Sequence, residues 1–185
     1  ALVLASDRWH PGVVGIVVGT RPDCLPPGMI RRLAALARRT YVSVELGVQT
    51  LDDEQLAWLS RGHDAACSLR ALAALREHPK LDTCAHLMFG LPGETDAQLR
   101  ATARTLGDAG VQGVKLHNLH VLRGTPLEAL YRAGRFEPVT LSEYADKVEG
   151  PIVVCSEVEE AEARQRGHSV EVELLLYVVH GVLHL

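Results

Sequence analysis

Short, unbroken apolar runs alternate along the chain with longer stretches whose apolar residues recur every three or four positions. The short runs predict strands at "ALVLAS" (1–6), "VVGIVVG" (13–19), "YVSVELGVQT" (41–50), "GVKLHNLHVL" (113–122) and "PIVVCS" (151–156). A further strand starts at 82 and runs into the Gly- and Pro-rich turn that ends at Glu94. The periodic stretches predict helices over 29–39, 52–62, 65–78, 95–110, 139–150, 157–168 and 169–185. Local signals agree with several of these. Proline precedes residue 29, acids fill the first turn of 52–62, Thr95 caps the helix it opens, and Ser169 precedes Glu171 and Glu173.

Strands near 13, 41, 83 and 113 alternate with helices, which argues for an α/β fold with a parallel sheet of right-handed βαβ units. Such sheets bind ligands beyond the carboxyl ends of their strands. Those ends here are "GTRPD", "LGVQT", "FGLPGET" and "LHVLRGT", all polar or glycine-rich. Ordinary βα turns favour the same residues, so the pattern alone leaves turn and site equally open.

Composition narrows the classes. The 185 residues are 47% hydrophobic, enough for one sizeable core. A net charge of -4 offers no strong nucleic-acid electrostatics, and 4% aromatics leave little for base stacking. Cysteines 24, 67, 84 and 155 are never closer than 17 residues, which fits no zinc or iron–sulfur spacing. Reduced, mostly buried thiols in a cytoplasmic protein are the expectation. No run of about 20 apolar residues implies a membrane partner.

Between residues 19 and 147 the stretches "GTRPDC", "VELGVQT", "SRGHD", "HLMFGLPGET" and "GVKLHNLHVLRGTPL" follow one another. Together they resemble the radical S-adenosylmethionine superfamily, in particular its YhcC-like branch. The resemblance implies a partial (β/α) barrel or open parallel sheet, here with an added C-terminal strand and helices. It also implies a [4Fe–4S] cluster that cleaves S-adenosylmethionine to a 5'-deoxyadenosyl radical. It places Gln49 at the cofactor ribose, Arg61 at its carboxylate, and the turn Gly90–Pro92–Gly93–Glu94 beside the adenine. Glu45 and His86 face the barrel lumen if strand alternation holds. The superfamily's CxxxCxxC loop does not occur in these 185 residues, so no radical chemistry is expected of them.

Two shorter likenesses flank this one. "LASDRWHPGVVGIV" is similar to the RecJ exonuclease family through Trp9, His10, Pro11, Gly12, Gly15 and Ile16. Residues 150–185 resemble the YbeY endoribonuclease family, whose zinc motif is HGxxHLxGxDH; His180 and His184 match its first two ligands. The expectation is therefore a composite, with residues 1–18 RecJ-like, 19–147 a radical S-adenosylmethionine-like half-barrel, and 148–185 a YbeY-like fragment. Its alternatives are a metal-dependent hydrolase remnant and a folded protein without enzyme activity. The sheet edge at 13–19 and the apolar helix at 169–185 are the expected routes of self-association.

The His180–His184 spacing generates a prediction. Two imidazoles four apart on a helix grip zinc, but a hydrolytic site needs a third protein ligand. The pair is expected to hold zinc loosely, so a chelator strips it without unfolding the chain. Zinc titration of the parent and of His180→Ala checks this; tight stoichiometric zinc with RNA cleavage, both lost in the variant, would refute it.

Overall fold

The computed structural model describes residues 14–140 and 142–143. Strands Gly15–Thr20 (β1), Tyr41–Gln49 (β2), Asp82–Phe89 (β3) and Gly113–Asn118 (β4) form one parallel sheet in the order β1-β2-β3-β4. Helices Pro27–Leu36 (α1), Asp53–Trp58 (α2), Ala65–Arg76 (α3), Asp96–Asp108 (α4) and Pro126–Arg132 (α5) connect or follow the strands. β1 and β2 pair in register from Gly15 with Tyr41 to Thr20 with Leu46. The predicted α/β class and parallel sheet are both found.

The chain forms two compact units. The described part of the first comprises 14–86 and 108–114; that of the second comprises 87–107, 115–140 and 142–143. In the first unit, β2 sets the architecture. Val42, Val44, Leu46 and Val48 are all fully buried, joined by Ile30 and Leu33 from α1, Leu56 from α2 and Leu72 and Leu75 from α3. Each side chain of this size contributes roughly 1.5–3 kcal/mol by leaving water. The alternate positions Glu45, Gly47 and Gln49 are only partly covered. β3 alternates the same way, with Thr83 and Ala85 buried and Cys84 and His86 partly open. On β2 and the first-unit part of β3, one face is thus covered and mostly apolar, while the other carries Glu45, Gln49 and His86.

In the second unit Leu87, Phe89, Leu91, Leu106, Leu119 and Phe136 are buried. The apolar pattern does not predict α5, although its caps are local. Thr125 caps the helix by accepting from the Glu128 amide, and Pro126 stands at the first helical position. Glu128 accepts from the Gly124 amide at 2.7 Å and from Arg132, and these bonds hold its pKa below the ordinary glutamate value. Length hides the element, because seven residues are too few for apolar periodicity to register.

Several boundaries move for local reasons. α1 begins at Pro27, two residues before the periodic stretch, because proline's fixed φ suits the first helical turn. α2 stops at Trp58 instead of continuing to 62 because Ser60 turns left-handed, with φ 55°. β4 ends at Asn118 instead of 122, and the Leu119 amide then bonds the Phe89 carbonyl at 3.0 Å. The thiols also differ from expectation: Cys24 is exposed and Cys67 and Cys84 are half-buried, since Cys24 lies in a loop turn and Cys84 on the open sheet face. Among the described residues β1 is an edge strand, with Val17 exposed, as expected. The expectations for 1–13 and 144–185, including His180 and His184, lie outside the described residues. Among those that are described, no helix is long and apolar enough to cross a membrane.

Ser68 in α3 is fully buried, and its hydroxyl has no hydrogen-bond partner. A buried, unmade hydroxyl bond costs about 1–3 kcal/mol. Ser68→Ala removes that cost at almost constant volume and is expected to raise stability by about 1 kcal/mol. Urea unfolding at unchanged m-value measures it, and a loss of stability would show that the hydroxyl is satisfied.

Candidate functional site

At the carboxyl end of β2 the backbone is bent on itself. Gln49 has φ 68°, a left-handed conformation that costs a non-glycine residue energy. The Thr50 amide reaches back to the Val48 carbonyl at 2.9 Å, closing a three-residue turn of the rare, strained kind around Gln49. Bonds further along hold this bend. The buried Thr50 hydroxyl donates to Gln55 Oε1 at 2.8 Å and accepts from the Asp52 amide at 3.1 Å. Asp52 in turn caps α2 through the Gln55 amide at 2.9 Å. Strain of this kind persists where the surroundings over-determine it, and it concentrates at ligand sites.

Arg61 comes to the same place by a second left-handed residue. After α2, the Ser60 amide bonds Ala57 O and the Arg61 amide bonds Leu56 O, both at 2.9 Å. This pairing closes a helix C-terminus around a left-handed residue, here Ser60 instead of the usual glycine. Arg61 then turns back under the sheet end, and its Nη2 donates to the Gly47 carbonyl at 3.2 Å. Its Nε is buried without a hydrogen-bond partner. Burial first, and Arg21 second, pull its pKa below the ordinary arginine value.

Gly47 makes this convergence feasible. A Cβ there would stand 3.0 Å from Gln49 Nε2 and 3.1 Å from Arg61 Nη2. The structure thus brings together Gln49 and Arg61, two of the residues singled out from sequence, over a glycine that the sequence motifs do not single out. The signal for Gly47 is a glycine at an open-face position of a strand.

Two residues along the open face below Gly47, Glu45 meets His86 of β3, with Oε2 and Nε2 3.0 Å apart. Both side chains are partly covered, and they form an ion pair when His86 is protonated. The strand alternation that predicted their common direction is observed. Asp23 and His63 carry no such sequence signal. Asp23 follows β1 and receives the Arg21 Nε at 2.9 Å, and His63 Nδ1 lies 3.6 Å from its Oδ1. Arg21 holds the Asp23 carboxyl below the usual aspartate range.

The turn Gly90–Glu94 belongs to the second unit. Gly90 has φ +82° and Gly93 φ +70°, both natural for glycine. Glu94 Oε2 accepts from the Gly90 amide at 3.1 Å, and the Glu94 amide bonds Leu91 O at 3.1 Å. A Cβ on Gly90 would meet Val139 at 3.2 Å. Pro92 lies in the same turn, so the four named positions share one self-bonded loop.

The polar end of S-adenosylmethionine fits the first-unit residues. A buried Arg61 Nε lacks an acceptor, and Gln49 and Arg61 bring an amide and a guanidinium together over Gly47, where a Cβ would crowd both. A [4Fe–4S] cluster does not fit the described thiols. Cys24, Cys67 and Cys84 lie on a loop turn, a helix and a strand, and the described residues hold no group of three His, Cys, Asp or Glu side chains fit for a metal ion.

Comparison with known proteins bears on the same region. The family model described as the radical SAM superfamily matches residues 3–106, and that of the radical SAM C-terminal domain matches 111–152. The uncharacterized protein YtqA of Bacillus subtilis is 39% identical over 157 residues, covering 85% of this chain and 45% of that protein. Protein YhcC of Escherichia coli is 40% identical over 133 residues, covering 71% of this chain and 43% of its own length. The solved structure of the Methanocaldococcus infernus Elp3 with an N-terminal deletion superposes with TM-score 0.58 at 29% identity, over 68% of this chain and 29% of that one. The chain thus spans less than half the length of the curated relatives it matches. The composite reading finds no support: the superfamily match begins at residue 3 and so runs through the stretch read as RecJ-like, and the YbeY and zinc likenesses find no support either. From the matched sequence span and the parallel sheet together, the chain belongs to the radical S-adenosylmethionine superfamily.

Proposed function

We propose that the first unit supplies the ribose and carboxylate contacts of an S-adenosylmethionine site in a radical S-adenosylmethionine enzyme. Gln49 hydrogen-bonds the ribose and Arg61 pairs with the carboxylate. The observation that carries this reading is the strained turn at Gln49. A left-handed glutamine costs about 1–2 kcal/mol relative to an ordinary strand end, and the Thr50, Asp52 and Gln55 bonds hold it there. The turn aims a primary amide over Gly47, beside a guanidinium that holds an unused buried donor. An amide and a guanidinium suit a diol and a carboxylate respectively. For the Gly90–Glu94 loop, a place beside the adenine is proposed from the superfamily likeness alone.

In this superfamily a [4Fe–4S] cluster bound to S-adenosylmethionine supplies the reducing electron. Since the described thiols do not fit that cluster, the 185-residue chain is read as a binder of the nucleoside that does not cleave it. Its strand ends orient the ligand, and the radical step and the choice of substrate belong to the whole enzyme.

Calorimetry with S-adenosylmethionine on this chain is expected to give a dissociation constant weaker than about 10 µM, or about -7 kcal/mol. Tighter binding would show that the strand ends suffice without cluster ligation. Gly47→Ala is the sharper test. The added methyl crowds the far ends of two flexible side chains and meets the Thr20 carbonyl at an ordinary contact distance of 3.5 Å, so the fold is expected to keep its melting temperature. Displacing Gln49 and Arg61 together is expected to weaken nucleoside binding about tenfold or more, since one charged hydrogen bond contributes about 1.5–3 kcal/mol. Unchanged affinity in that variant would remove both residues from the site.

A further inference from the structure

Beside the ends of β1 and β2, within the first unit, lies an open cleft of about 550 Å³. Asp23, Arg61, His63, Cys67 and Arg70 are among its lining residues. His63 has no task in the reading so far, and its condition is unusual. Its side chain is only 1% exposed, yet neither ring nitrogen has a hydrogen-bond partner. The carboxylate beside it, Asp23, stands 3.6 Å away, beyond a good hydrogen bond, and is already engaged by Arg21. Buried imidazole nitrogens without partners are rare, because each keeps the full desolvation penalty of an unmade bond. The second orphan in this cleft is the Nε of Arg61.

The two orphans differ in charge but each offers an N–H, on side chains two residues apart in one loop. Burial and the Arg61 charge lower the His63 pKa, so in the free protein the ring is neutral and offers one N–H. A carboxylate has lone pairs enough to accept from both a guanidinium Nε and an imidazole N–H. It also faces the Arg61 charge, which acts on the ring more strongly than the opposing Asp23 carboxylate. Gly62 keeps the loop backbone close to this spot, since a Cβ there would crowd the Arg21 guanidinium at 3.2 Å.

We infer that His63 is a second hydrogen-bond donor to the ligand's carboxylate, forming with Arg61 a two-point anchor for the amino-acid end of a nucleoside thioether or sulfonium. This rests on the reading of Arg61 given above and extends it to a residue that reading leaves unused. The anchor discriminates between nucleosides that carry an amino-acid tail and those that do not.

The test compares S-adenosylhomocysteine with 5'-methylthioadenosine, which shares the nucleoside and sulfur but has no carboxylate. Binding of each is measured by calorimetry, or by NMR titration for weak affinities, on the parent, His63→Ala and His63→Gln, with melting temperatures alongside. The parent is expected to prefer S-adenosylhomocysteine. His63→Ala should lose about tenfold on that ligand, the worth of one hydrogen bond to a charged group. It should leave 5'-methylthioadenosine within about twofold. His63→Gln keeps an N–H donor and should recover part of the loss; it carries the comparison if the alanine variant does not fold. Equal loss on both ligands, or no loss on S-adenosylhomocysteine, overturns the inference. A parent that binds both ligands equally overturns it too, yet leaves the nucleoside reading in place, whereas a parent that binds neither defeats both.

Discussion

Burial of one face of β2 is the constraint on which the first unit depends. Val42, Val44, Leu46 and Val48 lie at zero exposure, and a period of two leaves their neighbours no choice of direction. Slipping the strand by one residue would bury Glu45 and Gln49 and expose four aliphatic side chains, a loss of several kcal/mol in transfer free energy alone. Register therefore fixes the direction in which Glu45, Gly47 and Gln49 point. The polar face arises because the apolar face is non-negotiable, and a candidate site is assembled on whatever that leaves outward.

Rigidity from the sheet stops at Val48, and the residues beyond depend on polar bonds instead. The sequence "VQTLDDEQ" bonds itself into a closed set: Thr50 to Gln55, Asp52 to the Gln55 amide, and Thr50 N–H to Val48 O. None of these bonds is strong by net contribution. Together they hold Gln49 in a conformation it would leave if free. Ser60 repeats the device on the other side of α2, where glycine would serve at lower cost. Two left-handed non-glycine residues, each next to or at a proposed ligand contact, are easier to explain by positioning than by folding.

Much of this is legible in the sequence, and the limits have physical causes. The strand–helix alternation, the capping of α4 by Thr95, and the shared direction of Glu45 and His86 all follow from periodicity or local chemistry, which a sequence displays. Motif likeness points to Gln49 and Arg61, but their convergence over Gly47 requires coordinates because fourteen residues separate Gly47 from Arg61. Asp23 and His63 lie within the quoted stretches "GTRPDC" and "SRGHD" without being singled out there, because their encounter depends on a loop after β1 meeting a loop between α2 and α3. α5 is too short for periodicity to mark, and a Thr-Pro start alone suits a turn as well as a helix. Motif likeness also misleads: a few matching residues near each end suggest other families, whereas the superfamily match runs from residue 3 to 106.

The proposed contacts differ in what they ask of the protein. Arg61 is always charged, so its cost of burial is met through the Gly47 carbonyl and, in the proposal, a ligand anion. Gln49 carries no charge, and its cost is conformational. His63 has a cost that is neither: two nitrogens removed from water with no bond made in return. A folded domain tolerates a few such penalties, and selection for stability alone would replace His63 with an apolar residue of similar size. That three different penalties converge within one loop cluster of one unit is the strongest physical argument that the cluster is shaped for something other than stability. The neighbouring hydrophobic face can supply the surplus that sustains them, because it is continuous and fully buried where the site is not.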